Sequence, residues 1–395
     1  MLNFNATESF NFFVSTDLRF GAGEASRLPE LLASRGWRRI GLVVDAGIVR
    51  GAAWQAVERA LSEKCEIAAR LENAAAEPTY DFLDEARRQF NPSAIDAFVV
   101  AGGGSTLDLG KALSVLITNP GPALDYRGFD LIKHPGPPVV AIPTTAGTGS
   151  EVTPNAVFTN AAEKRKLGIN TRMYVPKLVV LDPLLTVSCP KSVTLASGLD
   201  AMVQAIENCT SIKATPASKP FSRLGVAMTY AALPAVIRDP SNVDARGQMQ
   251  LGAFFSGIGL MNGGGGIAGA LSYPLGTHFN IPHGLAHAVF TPAVIRWNVA
   301  RECAAYAELY DGLPGANGSL SAADKSREFA ERITTLFEQV GGPLSLGDLG
   351  LDPAAIGRFI EIVGQQTLLP AFQQNPVPFT TADLPAFVDS MHVRV

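Results

Sequence analysis

The chain has 395 residues, 47 % of them hydrophobic and 17 % charged, with a formal net charge of -4, which excludes a disordered or fibrous protein and, with no dense Lys/Arg run, argues against a nucleic-acid partner. No stretch nears the roughly 20 consecutive apolar residues of a membrane-spanning helix. The opening MLNFNATESFNFF lacks the basic-then-apolar pattern of a secretory leader, so a cytoplasmic protein away from membranes is expected.

In chain order, the apolar pattern predicts a helix over 25–36, the strand IGLVVD, a helix over 54–63, the apolar run CEIAARL, a helix over 80–90 and the strand AFVVA. STLDLGKALSVLITN then reads as a helix and PPVVAIPTT as a strand. Strands that are apolar throughout and alternate with helices imply a parallel sheet covered on both faces. AVFTN, KLGIN and KLVVLD read as extra strands joined by tight turns, with no helix among them. Beyond residue 187 the periodicity is helical nearly everywhere, so we expect an α/β dinucleotide-binding domain over 1–187 and an all-helical domain over 188–395. Four glycines, Gly263 to Gly266, interrupt the helical pattern either as a flexible loop or as a point of close packing. Cys65, Cys189, Cys209 and Cys303 are scattered without C-x-x-C spacing and read as core thiols.

The turn Gly102-Gly103-Gly104-Ser105 follows a strand and opens a helix, so backbone N–H groups and the positive end of a helix dipole converge there. That is the chemistry of a pyrophosphate cradle, although a tight turn needs glycine on steric grounds alone. Ser105 and Asp108 have the S-x-x-D spacing of a capping box, which accounts for Asp108 without a ligand, and Asp108 also stands beside the turn as a candidate cofactor contact. Asp45 closes the strand IGLVVD, where a carboxylate accepts from ribose hydroxyls and repels a 2′-phosphate, favouring NAD over NADP. The loop PTTAGTGSE, Pro143 to Glu151, crowds four hydroxyls and two glycines into nine residues after the strand VVAI.

PTTAGTGSEVTPNAVFTN resembles the signature segment of the iron-containing (group III) alcohol dehydrogenases. FVSTDLRFGAGEASRLPELL, VVAGGGSTLDLGKA, VPKLVVLDPLLTVSCP, GLDAMVQAIE and YPLGTHFNIPHG resemble other segments of that family in the same order. The resemblance implies a Rossmann-like N-terminal domain and an all-α C-terminal domain, as in dehydroquinate synthase, with the active site in the cleft between them and a homodimer paired through the N-terminal strands. It implies NAD(H) held by Asp45 at the adenosine ribose, by Gly102, Gly103, Gly104 and Ser105 at the pyrophosphate, by Thr144, Thr145 and Thr148 on the nicotinamide side, and by a cofactor-facing Lys166.

The resemblance also implies a divalent metal, Fe or Zn, that polarises the carbonyl as a Lewis acid and is held by one aspartate and three histidines. Two of those positions persist, as Asp200 and His283, while the other two fall on Gln204 and Gly269, and an amide is a poor replacement for imidazole on either metal. A further family histidine, assigned to proton transfer, falls on Tyr273. His278, His283 and His287 lie within ten residues, and His283 and His287 share a helical face, so with Asp200 they compose a candidate two-histidine, one-carboxylate site. Alternatively, these histidines serve substrate or cleft without metal. IPHGLAHAVFTP resembles the maleylacetate reductases, which share the fold, work without metal and carry a second histidine where His287 stands, but replace the aspartate and lack the GTGSE loop in this form. Tyr273, His278, His283 and His287 are thus the candidates to polarise the carbonyl and supply the proton. The expected activity is hydride transfer between NAD(H) and a small alcohol or carbonyl substrate. The alternatives are a metal-independent reductase of an acidic carbonyl compound, of maleylacetate or phosphonate type, and a paralogue that binds NAD without catalysis.

Overall fold

The computed structural model describes residues 9–75, 77–163, 165–365 and 369–391. Two compact units divide them: Val14–Pro190 with Ser241–Gln250, and Lys191–Pro240 with the chain from Leu251 onward and the described residues before Val14.

The first unit is α/β. Its strands are β1 (Asp17–Phe20), β2 (Arg39–Asp45), β3 (Glu66–Asn73), β4 (Ala97–Gly102), β5 (Gly128–Phe129), β6 (Val139–Pro143), β7 (Asn155–Asn160), β8 (Arg165–Asn170) and β9 (Leu178–Leu181). Six form one sheet in the order β1-β9-β6-β4-β2-β3, every pair parallel. The central strands β4, β6 and β9 are buried at every position, whereas the edge strand β1 is largely exposed, as a sheet covered on both faces requires. Helices α1 (Leu28–Ala33), α2 (Ala52–Lys64), α3 (Tyr80–Ala86) and α4 (Gly104–Leu116) connect the strands. Leu28, Leu32, Trp54, Val57 and Leu61 pack on Ile40, Leu42, Val44, Val99, Ala101 and Val140 of the sheet.

The three expected strands AVFTN, KLGIN and KLVVLD all form, but not in one sheet: β7 and β8 pair antiparallel in a separate three-stranded sheet with β5, while β9 inserts between β1 and β6 of the main sheet. A 3-10 turn, Arg172–Tyr174, separates β8 from β9, and four buried apolar side chains suit β9 to the sheet centre. Because β3 lies on one side of β2 and β4 on the other, the chain reverses its progress across the sheet there. Crevices at such switch points, outside the carboxyl ends of the strands, are where ligands bind in open α/β sheets. Asp45 and Gly102 are the carboxyl-terminal residues of these two strands, and Gly102 pairs in register with Pro143, the last residue of β6.

The second unit is helical. Within it α5 (Lys191–Thr210), α6 (Lys219–Arg238), α8 (Ile267–Phe279), α9 (His283–Ala288) and α10 (Thr291–Val299) are followed by shorter and longer helices, among them Ala322–Val340 and Pro353–Gln365; α7 (Val243–Gly263) runs through both units. Ile267, Leu271, Leu275, Phe290, Phe359 and Phe387 share one core. The glycine run joins α7 to α8 as a close-packed turn: a Cβ on Gly263 would lie 2.8 Å from the Asn208 carbonyl oxygen, and one on Gly266 would lie 2.6 Å from a Glu207 carboxylate oxygen. Among the described residues, no helix is long and apolar enough to cross a membrane.

Candidate active site

In the α/β unit the glycine turn is held by steric fit. A Cβ on Gly102 would stand 2.7 Å from the Cβ atoms of both Asp45 and Thr106, and one on Gly104 would stand 2.7 Å from Thr148 Oγ1. Gly103 is the N-cap of α4 and offers no side-chain cap, so the helix N-terminus faces the turn with backbone alone. Asp45 accepts from the Gly47 N–H at 2.8 Å and from the Thr106 hydroxyl at 3.2 Å, which aims its carboxylate at the mouth of the turn. The Thr144 N–H donates to the Gly102 carbonyl at 3.0 Å, tying the loop after β6 to the end of β4. Thr145 is half-buried beside Gly103, and Thr148, which is exposed, accepts from the Ser150 N–H at 3.2 Å. The sequence thus names residues that the fold does gather: Asp45, the glycines and the threonine loop meet at the switch point.

Two expectations change in detail. Ser105 and Asp108 do not make a capping box, because α4 starts one residue earlier, at Gly104, and places Ser105 inside its first turn. Asp108 instead accepts from the Ser150 hydroxyl and from the Val157 N–H at 2.8 Å, and pairs with Lys111 at 3.2 Å. Lys166 lies on β8, where its ammonium pairs with Glu77. Lys111, which sequence reasoning passed over, is fully buried and donates to the carbonyls of Ser150, at 2.8 Å, Thr153, at 3.3 Å, and Asn155. Burial lowers its ammonium pKa, and the Asp108 carboxylate opposes that shift.

In the helical unit, Asp200, Gln204 and Glu207 lie four and three residues apart on α5 and are all buried on one face. His287, on α9, stands between two of them: Nδ1 lies 2.9 Å from Asp200 Oδ1 and Nε2 lies 3.0 Å from Glu207 Oε2. Glu207 also accepts from the first-turn N–H groups of α8, Ala268 at 2.7 Å and Gly269 at 3.2 Å. Burial lowers the His287 pKa, but hydrogen bonds to Asp200 and Glu207 and the charges of both carboxylates outweigh it, raising the imidazole to about 10. Burial raises Asp200, and the hydrogen bond from His287 with the two nearby imidazoles brings it below the ordinary carboxylate value. Around this cluster, His283 Nε2 is 3.9 Å from Asp200 Oδ1, Ser272 Oγ is 3.4 Å from His283 Nδ1, and the Tyr273 ring lies 5.6 Å from that of His283. Tyr273 is exposed, His283 is half-buried, and His278 is exposed in the last turn of α8. Glu207 was missed from sequence, although its position three residues beyond Gln204 on a helical face was a usable signal.

The model of the iron-containing alcohol dehydrogenases matches residues 15–183, and that of the C-terminal domain of the same Fe-containing family matches residues 194–391. The chain belongs to the iron-containing alcohol dehydrogenases. It is 30 % identical to 1,3-propanediol dehydrogenase of Klebsiella pneumoniae over 348 residues, 87 % of this chain and 90 % of that protein. It is 28 % identical to NAD-dependent methanol dehydrogenase of Bacillus methanolicus, over 86 % of this chain and 90 % of the other. Sulfoacetaldehyde reductase from Bifidobacterium kashiwanohense, solved in complex with NAD+, superposes with a TM-score of 0.86 at 25 % identity, over 97 % of this chain and 99 % of that one.

For a member of this iron-containing family, two of the four positions at which the resemblance places metal ligands offer none. The Gln204 amide donates to Ser256 Oγ at 3.1 Å, and Gly269 has no side chain. Asp200, His283 and His287 each bring one donor atom within 4.8 Å of the others, the relocated set allowed by the sequence. Both nitrogens of His287 are hydrogen-bonded to carboxylates, so a cation held by this set would take the place of the bond to Asp200 or to Glu207.

Proposed function

We propose that this iron-containing alcohol dehydrogenase family member is an NAD(H)-dependent oxidoreductase that interconverts an alcohol and its aldehyde or ketone by hydride transfer, with Tyr273 and His283 contacting the reacting oxygen. The observation that carries the reading is the glycine turn at the sheet's switch point, where a Cβ on Gly104 would strike Thr148 and where Asp45 stands at the adjoining strand end. Backbone N–H groups there bind the pyrophosphate, Asp45 takes the adenosine ribose, and Thr144, Thr145 and Thr148 approach the nicotinamide. Of the four candidate proton donors, His287 is buried with both nitrogens engaged and His278 is exposed at the end of its helix. Tyr273, exposed, and His283, half-buried, are packed ring to ring beside Asp200 and support the role best. They orient the carbonyl by hydrogen bonding and pass a proton to the alkoxide oxygen as hydride arrives at carbon.

An anionic aldehyde is the second reading, favoured by the likeness to a sulfoacetaldehyde reductase. The net charge of -4 supports a cytoplasmic protein without nucleic-acid or membrane-surface partners, and the exposed edge strand β1 supports a homodimer paired through N-terminal strands. The test is NADH titration by fluorescence, followed by NADH oxidation across neutral aldehydes, sulfoacetaldehyde and 2-oxo acids. Tyr273→Phe and His283→Ala are expected to lower kcat by roughly 10²–10⁴ with NADH affinity kept. Undiminished kcat would remove that role, failure to bind NADH would remove the cofactor, and NADH binding without turnover would mark a non-catalytic paralogue.

A further inference from the structure

Asn73 is the last residue of β3, an edge strand of the main sheet, and its side chain is buried although that strand is exposed at every second position. A buried amide costs free energy unless its groups are bonded, and both ends of this one are. Its Oδ1 accepts from the Ala75 N–H at 3.1 Å, while Nδ2 donates to the Ala75 carbonyl at 3.1 Å and to the Thr106 hydroxyl at 2.9 Å. The bond from Ala75 N–H fixes which end of the amide faces Thr106, so the Thr106 oxygen receives a proton there. Thr106 is fully buried in the first turn of α4, and its own single proton is left for Asp45 Oδ2, 3.2 Å away. Donation therefore runs from Asn73 to Thr106 to Asp45. Asp45 and Asn73 are register partners on neighbouring parallel strands, and the Ala46 N–H donates to the Asn73 carbonyl at 2.9 Å, so the backbone fixes the spacing of the two side chains.

The other carboxylate oxygen, Asp45 Oδ1, accepts from the Gly47 N–H at 2.8 Å. An ionised carboxylate has about four acceptor sites, and these two bonds leave about two, the number of donors that the 2′- and 3′-hydroxyls of an adenosine ribose supply. A 2′-phosphate brings negative charge in place of one of those donors. We propose that Asn73 and Thr106 are positioning residues that hold the Asp45 carboxylate against rotation and thereby set the preference of this chain for NAD(H) over NADP(H); this rests on Asp45 being the ribose contact proposed above. A carboxylate held by Gly47 alone can turn from a 2′-phosphate, whereas one held at both oxygens meets it as a fixed negative charge.

The test is fluorescence titration of the full-length protein with NADH and with NADPH, beside its thermal midpoint. The parent is expected to bind NADH the more tightly. Thr106→Val keeps the shape of the side chain and removes the hydroxyl. It is expected to raise the Kd for NADH roughly three- to tenfold and to leave that for NADPH unchanged or lower, so that the preference falls by about the same factor or more. Thr106→Ser returns a hydroxyl and is expected to return the parent preference, and a serine variant that behaves like the valine would overturn the proposal. Asn73→Leu leaves Thr106 in place without its donor, and is expected to shift the preference in the same direction by a smaller factor; if Thr106→Val does not fold, this variant decides. An unchanged preference, or both Kd values rising together with a lowered midpoint, would show a structural role alone and overturn the proposal while leaving Asp45 as the ribose contact. A parent that binds the two cofactors equally would overturn the role of Asp45 and the proposal with it.

Discussion

Glu151 is buried in the loop after β6, and burial raises its carboxyl to about 7, against the pull of its own backbone N–H and of the Lys111 ammonium. A carboxyl raised in the folded state holds a proton that the unfolded chain releases at lower pH. Its stabilisation is therefore complete below the unfolded value of 4.5 and is lost as pH rises through about 7. Over that window the effect is roughly 3 kcal/mol. Glu151→Gln is expected to flatten the fall of the thermal midpoint between pH 4.5 and 7.5 and to raise the midpoint at pH 7.5; a slope like that of the parent would show that another group titrates. The same residue shows how far sequence reaches at this scale. Its place in the threonine-rich loop was legible, but nothing in the order of residues says that its carboxyl is enclosed. Asp108 makes the same point: its place three residues after Ser105 suggested a cap, and the hydrogen bonds run instead to Ser150 and Val157, forty-two and forty-nine residues away.

At the scale of elements, α4 is the part on which the cofactor site turns. Its N-terminus faces the glycine turn, and about two turns further on Lys111 holds three carbonyls of the segment 150–155, so a single helix fixes both walls of the proposed nucleotide site. Lys111→Met fills much the same volume but leaves those carbonyls without the buried ammonium and removes the ion pair with Asp108. Unfolding stability is expected to fall by about 3–5 kcal/mol in denaturant titration, with weaker NADH binding as the loop relaxes. A loss under about 1 kcal/mol would mean that water replaces the ammonium at no cost. Helices and strands with strong periodicity were readable from the sequence, including α2, α4 and the buried strands β2, β4 and β6. The pairing of β9 was not, because a short apolar run specifies burial without specifying which neighbours it joins. The glycine run was left open between loop and close packing for a related reason: the atoms that a Cβ on Gly263 or Gly266 would strike belong to α5, more than fifty residues earlier.

For the whole molecule, the proposed cofactor site and the cluster of Asp200, Glu207 and His287 lie in separate compact units, each with its own core. A ligand that binds only the folded chain stabilises it by mass action, about 2.7 kcal/mol at a hundred times its dissociation constant. NADH at that level is expected to slow amide exchange first along 102–116 and 143–152, and less in α5 and α9, as read by mass spectrometry. Equal protection of both regions would show that the two sites are coupled more tightly than their separate cores imply.

The sequence by itself determined the α/β and helical division of the chain and the nature of the hydride carrier. Those features are local: a strand end, a glycine turn and a helix start are contiguous in the chain, and their backbone chemistry follows from the order of residues. What replaces the metal ligands at Gln204 and Gly269 was decided only by tertiary structure. His287 reaches Asp200 and Glu207 across eighty-seven and eighty residues, and its charge depends on both partners meeting it away from water. Spacing can place such groups on a helical face, but only packing settles which of them touch.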